Sequence, residues 1–192
     1  MKSEAGIWVF GYGSLMWRPG FSYDERVHAV LQGGNRALCL YSYIHRGCPV
    51  RPGLVLGLDA GGRCEGLAFH VPPRHVNKTL NYLRRRELMN NVYRPVLRTV
   101  ALNGEKHCEI QALCYMVNRN HRQYAGHLPL EMQEWLVRRG KGLSGRNIDY
   151  VVNTVRHLRE LSICDSKLEA LVIRLGRHRE LGGCFRRARP LR

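Results

Sequence analysis

Two features of this chain could do chemistry. The first is a carboxylate. Val76, Leu80 and Leu83 stand at i, i+4 and i+7, which is the spacing of one face of an α-helix. Glu87 follows at i+11. At roughly 100° per residue, eleven steps return to within about 20° of the start. Glu87 is therefore expected on the apolar stripe, while Arg84 and Arg85 point elsewhere. A charged carboxylate in apolar surroundings is costly, so burial raises its pKa toward neutrality, where a general acid or base works. Two plainer readings stay open. The residue ends the helix at a frayed edge and points to water, or it makes a structural pair with an arginine.

The second feature is a glycine loop. Val9-Phe10-Gly11-Tyr12-Gly13-Ser14-Leu15 leaves an apolar run and turns on two glycines. Such a loop can aim backbone N–H groups at an anion or a developing oxyanion. It is not a dinucleotide fingerprint, because Met16 stands where G-x-G-x-x-G needs its third glycine. It has no G-K-[ST] and no G-x-S-x-G elbow, so neither a phosphate loop nor a nucleophilic Ser14 is favoured. A plain β-turn remains the simpler alternative.

The elements that must hold these residues are legible as patterns. Gly6 to Phe10 and Arg36 to Tyr43 read as strands. Leu54 to Leu58 and Cys64 to Val71 flank Gly61-Gly62, which suggests a hairpin. Pro95 to Leu102 and Cys108 to Val117 flank Asn103-Gly104, a stronger hairpin signal that fits a type I′ turn. A helix interrupts these strands from about His75 to Leu88. Further on, Pro129 suits a first helical position, and Met132, Trp135 and Leu136 form an apolar stripe behind it. Gly140 to Gly145 is a glycine-rich break, and Val151, Val155 and Leu158 make the next stripe. Ser166 with Glu169 reads as a capping box before Leu168, Leu171, Val172 and Leu175. The fold class expected is α+β: a small mixed, mainly antiparallel β-barrel with packed helices.

Composition bounds the function. The chain has 192 residues, and 31 Lys+Arg against 15 Asp+Glu give a formal net charge of +16. The apolar fraction of 44 % argues for a globular chain rather than a disordered one. No stretch has the roughly 18 apolar residues of a membrane helix, and the start is a poor secretory signal. A cytoplasmic protein without a membrane partner is expected. The seven cysteines include no C-x-x-C and the nine histidines no H-E-x-x-H, so a metal site is not favoured. Cys39 and Cys114 lie in apolar runs, as small hydrophobes do. Residues 177–192 carry six arginines against Glu180 and read as a flexible basic tail. A basic nucleic-acid-binding module is the competing class, but it explains neither Glu87 nor the glycine loop, and nucleic acid ranks last as a partner.

Taken in order, seven blocks resemble the ChaC-type γ-glutamylcyclotransferases. They are Phe10-Gly11-Tyr12-Gly13-Ser14-Leu15-Met16-Trp17, His45-Arg46-Gly47, Arg51-Pro52-Gly53, Tyr82-Leu83 with Arg86-Glu87, Tyr93-Arg94, Ser144-Gly145-Arg146-Asn147, and Tyr150. The resemblance runs from about Ile7 to Leu175 and implies the cyclotransferase fold, with residues 1–176 as the catalytic domain. It implies glutathione as the small-molecule substrate, released as 5-oxoproline and cysteinylglycine. It also implies that Val9 to Leu15 hold the γ-glutamyl group, that Glu87 is the proton acceptor, and that Tyr93 and Tyr150 belong to the pocket. Arg46 or Arg86 is a candidate for a substrate carboxylate, whose shape a guanidinium fork matches. No step calls for a metal or an organic cofactor. Asn90-Asn91-Val92 stands where some relatives have paired glycines. That departure leaves γ-glutamyl amino acids or amines as alternative substrates.

Overall fold

The structure, a computed structural model, describes residues 6–87, 91–103 and 108–176. The expected tail 177–192, the end of the first helix at Leu88 and the turn residue Gly104 lie outside the described residues. The chain forms two compact units, Met1–Tyr41 with Val55–Leu128, and Ser42–Leu54 with Pro129–Arg192.

The first unit is built on a closed barrel of five strands: β1 (Ile7–Gly11), β2 (Glu25–Ser42), β3 (Gly53–Val71), β4 (Tyr93–Leu102) and β5 (Cys108–Val117). Their order around the barrel is β1-β3-β2-β4-β5. β1 runs antiparallel to β3, with Val9 opposite Phe69, and parallel to β5, with Trp8 opposite Ala112. β4 and β5 are the expected antiparallel pair, in register from Tyr93↔Val117 to Leu102↔Cys108. Helix α1 (Pro73–Glu87) connects β3 to β4.

The Gly61-Gly62 hairpin does not form. Leu54–Leu58 and Cys64–Val71 are two arms of the single strand β3, and both glycines have positive φ, +92° and +76°. The left-handed glycines bend the strand at a barrel corner instead of reversing it. Asn35 on neighbouring β2 donates from Nδ2 to the carbonyls of Gly61 at 2.9 Å and Ala60 at 3.4 Å. That contact satisfies backbone groups that the bend takes out of the ladder. β2 likewise extends well ahead of the expected Arg36 start, and its Gly33 has φ +77°. The barrel interior takes the cysteines as hydrophobes. Cys39 and Cys114 are buried, and burial pushes both thiols up to about 12.

The second unit holds helices α2 (Leu130–Arg139), α3 (Asn147–Glu160) and α4 (Ser166–Arg174). A two-stranded hairpin, β6 (Lys141–Gly142) with β7 (Gly145–Arg146), forms in the glycine-rich break. Three local expectations need correction. Pro129 is the N-cap of α2, one residue before the first helical position. Met132 and Trp135 are 46 % and 50 % exposed, and α2 buries Leu136 and Val137 instead. The Arg139 guanidinium lies over the Trp135 ring at 4.5 Å, so a cation covers the indole. The cap of α4 is Asp165, whose carboxylate accepts from the Leu168 N–H at 3.1 Å, and Ser166 is the first helical residue. Glu169 turns to Arg159 at 3.1 Å rather than back to the cap. An ion pair between two helices satisfies that carboxylate better than a cap already occupied. Among the described residues, no helix is long and apolar enough to cross a membrane.

Candidate active site

The glycine loop leaves β1 at Gly11 and closes into a 3₁₀ turn over Ser14–Met16, with Met16 N–H donating to the Gly13 carbonyl at 2.9 Å. Val9, Phe10, Gly11, Tyr12, Gly13 and Leu15 are buried, and Ser14 is exposed. Val9 and Phe10 are barrel core by their side chains, so what this segment can present to a ligand is backbone and the Ser14 hydroxyl. The opening of a helical turn leaves its first N–H groups without an intrahelical acceptor. Here those belong to Ser14 and Leu15, and they are the donors available for a developing negative charge.

An arginine inside the barrel fixes the loop. Arg36 is 7 % exposed, and its guanidinium donates to the Tyr12 carbonyl at 2.5 Å and to the Glu65 carbonyl at 2.6 Å. Gly11 is close-packed as well: a Cβ there would lie 3.2 Å from the Phe69 ring and 3.3 Å from Leu15.

Helix α1 delivers Glu87 as its periodicity predicts. Leu83 is buried, Val76 packs on the cluster of Val9, Leu15, Val71 and Tyr115, and Arg84 and Arg85 are exposed. The Glu87 side chain is 15 % exposed. Burial pushes its carboxyl above the ordinary value, against the opposing pull of Arg86. The two plainer readings thus part. The residue does not fray into water, and it does make an arginine pair, Glu87 Oε1 to Arg86 Nε at 3.1 Å. The pair does not cancel the effect of burial.

Arg86 also reaches the loop. Its Nη2 donates to Ser14 Oγ at 2.8 Å, and Nη1 donates to the Arg18 carbonyl at 2.7 Å and to Tyr82 Oη at 2.8 Å. One guanidinium therefore ties the carboxylate of α1 to the hydroxyl of the glycine loop. Tyr115 is buried close enough to Glu87 for that charge to help raise its phenol, which burial chiefly pushes up to about 12. A phenol held in this way stays a neutral hydrogen-bond donor.

Tyr93 packs on the same cluster, and its hydroxyl donates to the Leu56 carbonyl at 2.9 Å. Asn91, just ahead of β4, has φ +53°. Glycine or asparagine adopts that left-handed conformation most readily. The Asn91 carbonyl accepts from Asn118 Nδ2 at 3.2 Å.

Arg46 and Tyr150 belong to the second unit and are brought to each other, with the guanidinium 5.2 Å from the ring centroid. Arg46 Nη1 also donates to the Ser144 carbonyl, and the His45 ring bonds Ser144 Oγ at 3.0 Å. Asn147, fully buried, accepts from Leu54 N–H at 2.6 Å and donates to the Leu54 carbonyl at 2.8 Å. Glycines make the approach possible: a Cβ on Gly53 would lie 2.2 Å from the Arg46 carbonyl, and one on Gly140 would lie 2.7 Å from it. Four of the sequence blocks thus meet in one knot, which Arg46 helps to hold.

Arg36 and Tyr115 were not among the residues singled out from sequence. The signal for Arg36 was present, since it is a lone charge at the head of an otherwise apolar strand run. Tyr115 looks like any core aromatic of a strand, and only the register places it beside Glu87.

Known proteins resemble this chain over most of its length. A glutathione-specific γ-glutamylcyclotransferase of Escherichia coli is 29 % identical over 170 residues, covering 88 % of this chain and 73 % of the relative. Glutathione-specific γ-glutamylcyclotransferase 1 of Mus musculus is 30 % identical over 177 residues, covering 88 % and 78 %. The crystal structure of a yeast γ-glutamylcyclotransferase specific to glutathione superposes with a TM-score of 0.79 at 22 % identity, covering 91 % of this chain and 97 % of that one. That likeness establishes the fold, the expected barrel with helices. The family described as ChaC-like protein matches residues 7–177, and the chain belongs to it.

Proposed function

We propose that this protein is a glutathione-specific γ-glutamylcyclotransferase in which Glu87 carries the proton. The observation that carries the reading is the Arg86 bridge, which holds a buried carboxylate of raised pKa to the hydroxyl of a loop with open N–H donors. Relatives that act on glutathione, at about 30 % identity over most of the chain, support the choice of substrate.

The chemistry follows from the substrate. A γ-glutamyl group carries its own nucleophile, the α-amine. Attack of that nitrogen on the γ-carbonyl forms the lactam C–N bond, and the bond to the cysteinyl nitrogen breaks. The products are 5-oxoproline and cysteinylglycine, and no water is consumed. Closure is intramolecular, so holding the chain folded supplies much of the rate; effective molarities reach about 10⁵–10⁸ M in favourable cases. The amine is protonated near neutrality and attacks only after losing a proton. Glu87 takes that proton and returns it to the leaving nitrogen. The N–H groups of Ser14 and Leu15 face the oxyanion of the tetrahedral intermediate. Tyr12 and Gly13 shape the cradle, and Tyr93 supports it through Leu56. In this reading residues 1–176 are the catalytic domain. The enzyme is cytoplasmic, where free thiols such as Cys39, Cys64 and Cys114 persist.

The test is direct. Purified protein is incubated with glutathione, and 5-oxoproline and cysteinylglycine are quantified by mass spectrometry. Glu87→Gln is run beside it, with circular dichroism confirming the fold. Stoichiometric products from the wild type and a loss of about 10²–10⁴-fold in the folded variant are expected. Product from both at equal rate rejects Glu87 as the proton carrier, and product from neither rejects the substrate.

A further inference from the structure

Helix α1 has a second functional flank. Lys78 lies nine residues before Glu87, which places it about 180° around the helix, and Tyr82 lies about 140° around. On that flank the segment after the 3₁₀ turn folds over α1 and encloses a cavity of about 370 Å³. Its walls include Phe21, Ser22, His75, Lys78, Thr79 and Tyr82. Thr79 is about 12 Å along the helix axis from Glu87, at 1.5 Å per residue. The Lys78–Thr79 end of the cavity is therefore remote from the carboxylate, and the cavity meets that machinery at Tyr82, whose hydroxyl Arg86 holds.

The walls are built rather than incidental. Phe21 and Tyr82 meet edge to face, with centroids 6.4 Å apart. The Tyr82 hydroxyl is fixed by Arg86 at 2.8 Å. Gly20 closes the rim against that phenol: its φ is +74°, and a Cβ there would lie 2.1 Å from Tyr82 Oη. The aromatic pair cannot swing into the cavity without losing these contacts. Thr79 is almost fully buried, whereas Ser22 and Lys78 are exposed at the mouth. The result is an apolar recess of small-molecule size with an ammonium at its rim and hydroxyls beside it. Pockets of this make-up take a ligand with a flat apolar body and an anionic head. Arg74, one helical turn before Lys78, adds a second positive charge, while the Asp24 carboxylate is engaged by His70 at 2.6 Å.

We propose that this cavity is a second binding site, for a small carboxylate with an aromatic body. The ring lies against the wall that the Phe21–Tyr82 pair forms, and the carboxylate meets Lys78 and the Ser22 hydroxyl. The site stands apart from the cyclotransferase reading in that Lys78 and Ser22, which take the ligand, have no role in the chemistry assigned to Glu87 and the glycine loop; Tyr82 is shared, since Arg86 holds its hydroxyl.

The probe is 3-phenylpropionate, titrated calorimetrically into the full chain at low salt. Its neutral counterpart 3-phenylpropan-1-ol and the ringless acetate are titrated beside it. Saturation at one site is expected for the acid, with the alcohol and acetate each at least about tenfold weaker. Lys78→Met, an exposed helix position, weakens the acid about tenfold and leaves the alcohol unchanged. Ser22→Trp, which fills the mouth, abolishes binding of both. Equal affinity for acid and alcohol overturns the proposal, as does an unchanged affinity in Lys78→Met or the absence of saturable binding. Displacement of the probe by 5-oxoproline also overturns it, since that would seat the probe at the catalytic loop.

Discussion

The chain uses two arginines in sequence blocks of the same kind, and it uses them differently. Arg46 donates to a backbone carbonyl and lies on the face of Tyr150, and its surroundings are glycines packed to backbone contact. Arg86 donates to the hydroxyls of Ser14 and Tyr82 and to the Arg18 and Pro19 carbonyls, and pairs with a largely buried carboxylate. The first set of contacts joins the guanidinium to a carbonyl and a ring face. The second opposes the upward push of burial on Glu87 and links it to the Ser14 hydroxyl of the loop. Membership in a motif therefore does not tell what an arginine does; the partner does. Arg46 holds backbone and an aromatic face together, whereas Arg86 holds the carboxylate proposed to carry the proton.

The largest effect expected from breaking this contrast is on stability, in the second unit. Asn147→Ala removes both partners of Leu54 and leaves a buried N–H and C=O unpaired. An unsatisfied buried polar group costs about 1–3 kcal/mol. A loss of about 2–4 kcal/mol is expected in urea unfolding. A loss under about 1 kcal/mol would mean that water replaces the side chain and that the knot is looser than its glycines imply.

The next effect sharpens the contrast directly. Arg86→Met removes the cation that holds Glu87 down and lets Ser14 drift. A misplacement of this kind can cost up to about 10²-fold in rate, so kcat/KM for glutathione is expected to fall about 10–100-fold. The pH profile separates positioning from mere damage. Arg86 opposes the upward push of burial on Glu87. Without it the carboxyl holds its proton to higher pH, and the acidic limb of the profile moves up. Arg46→Met is expected to leave that limb where it is, whatever it does to the rate. If both variants shift the limb equally, the distinction between the two arginines fails.

How much of this was legible in the sequence depends on which physics decided each part. Glu87 was, because helical periodicity is local and α1 keeps its phase over eleven residues. The β4–β5 pair was, because its strand ends and the residues between them are contiguous. The long strands β2 and β3 were not. Gly61-Gly62 is locally as good a hairpin turn as a strand bend, and only closure of the barrel decides between them. The stripe of Met132, Trp135 and Leu136 had the right period and the wrong partner, since Val137 rather than Trp135 faces inward. The bridge made by Arg86 was also hidden. Its partners Ser14 and Arg18 lie 72 and 68 residues away, and no spacing within α1 encodes them.

The smallest effect concerns the cost of keeping Glu87 where it is. Burial raises its folded pKa above the unfolded value, with Arg86 opposing. Between those two values the folded state binds more protons than the unfolded state, so stability falls as pH rises through that window. Above the folded value the penalty is constant and complete; below about 4.5, the ordinary glutamate value, it is absent. Glu87→Gln removes the titration. The variant is therefore expected to melt slightly above the wild type at neutral pH, and the difference should vanish as the pH falls below the ordinary carboxylate range. The loss of the Arg86 pair subtracts from this gain, and the double variant Arg86→Met/Glu87→Gln separates the two contributions. A Glu87→Gln protein that melts lower at neutral pH, with the double variant restoring the wild-type value, would show that the pair outweighs burial. Glu87 would then join Arg46 on the architectural side of the comparison. A variant that melts higher while losing activity would instead show a carboxylate held at a site where the fold alone would prefer an amide, the pattern expected of a group retained for its proton.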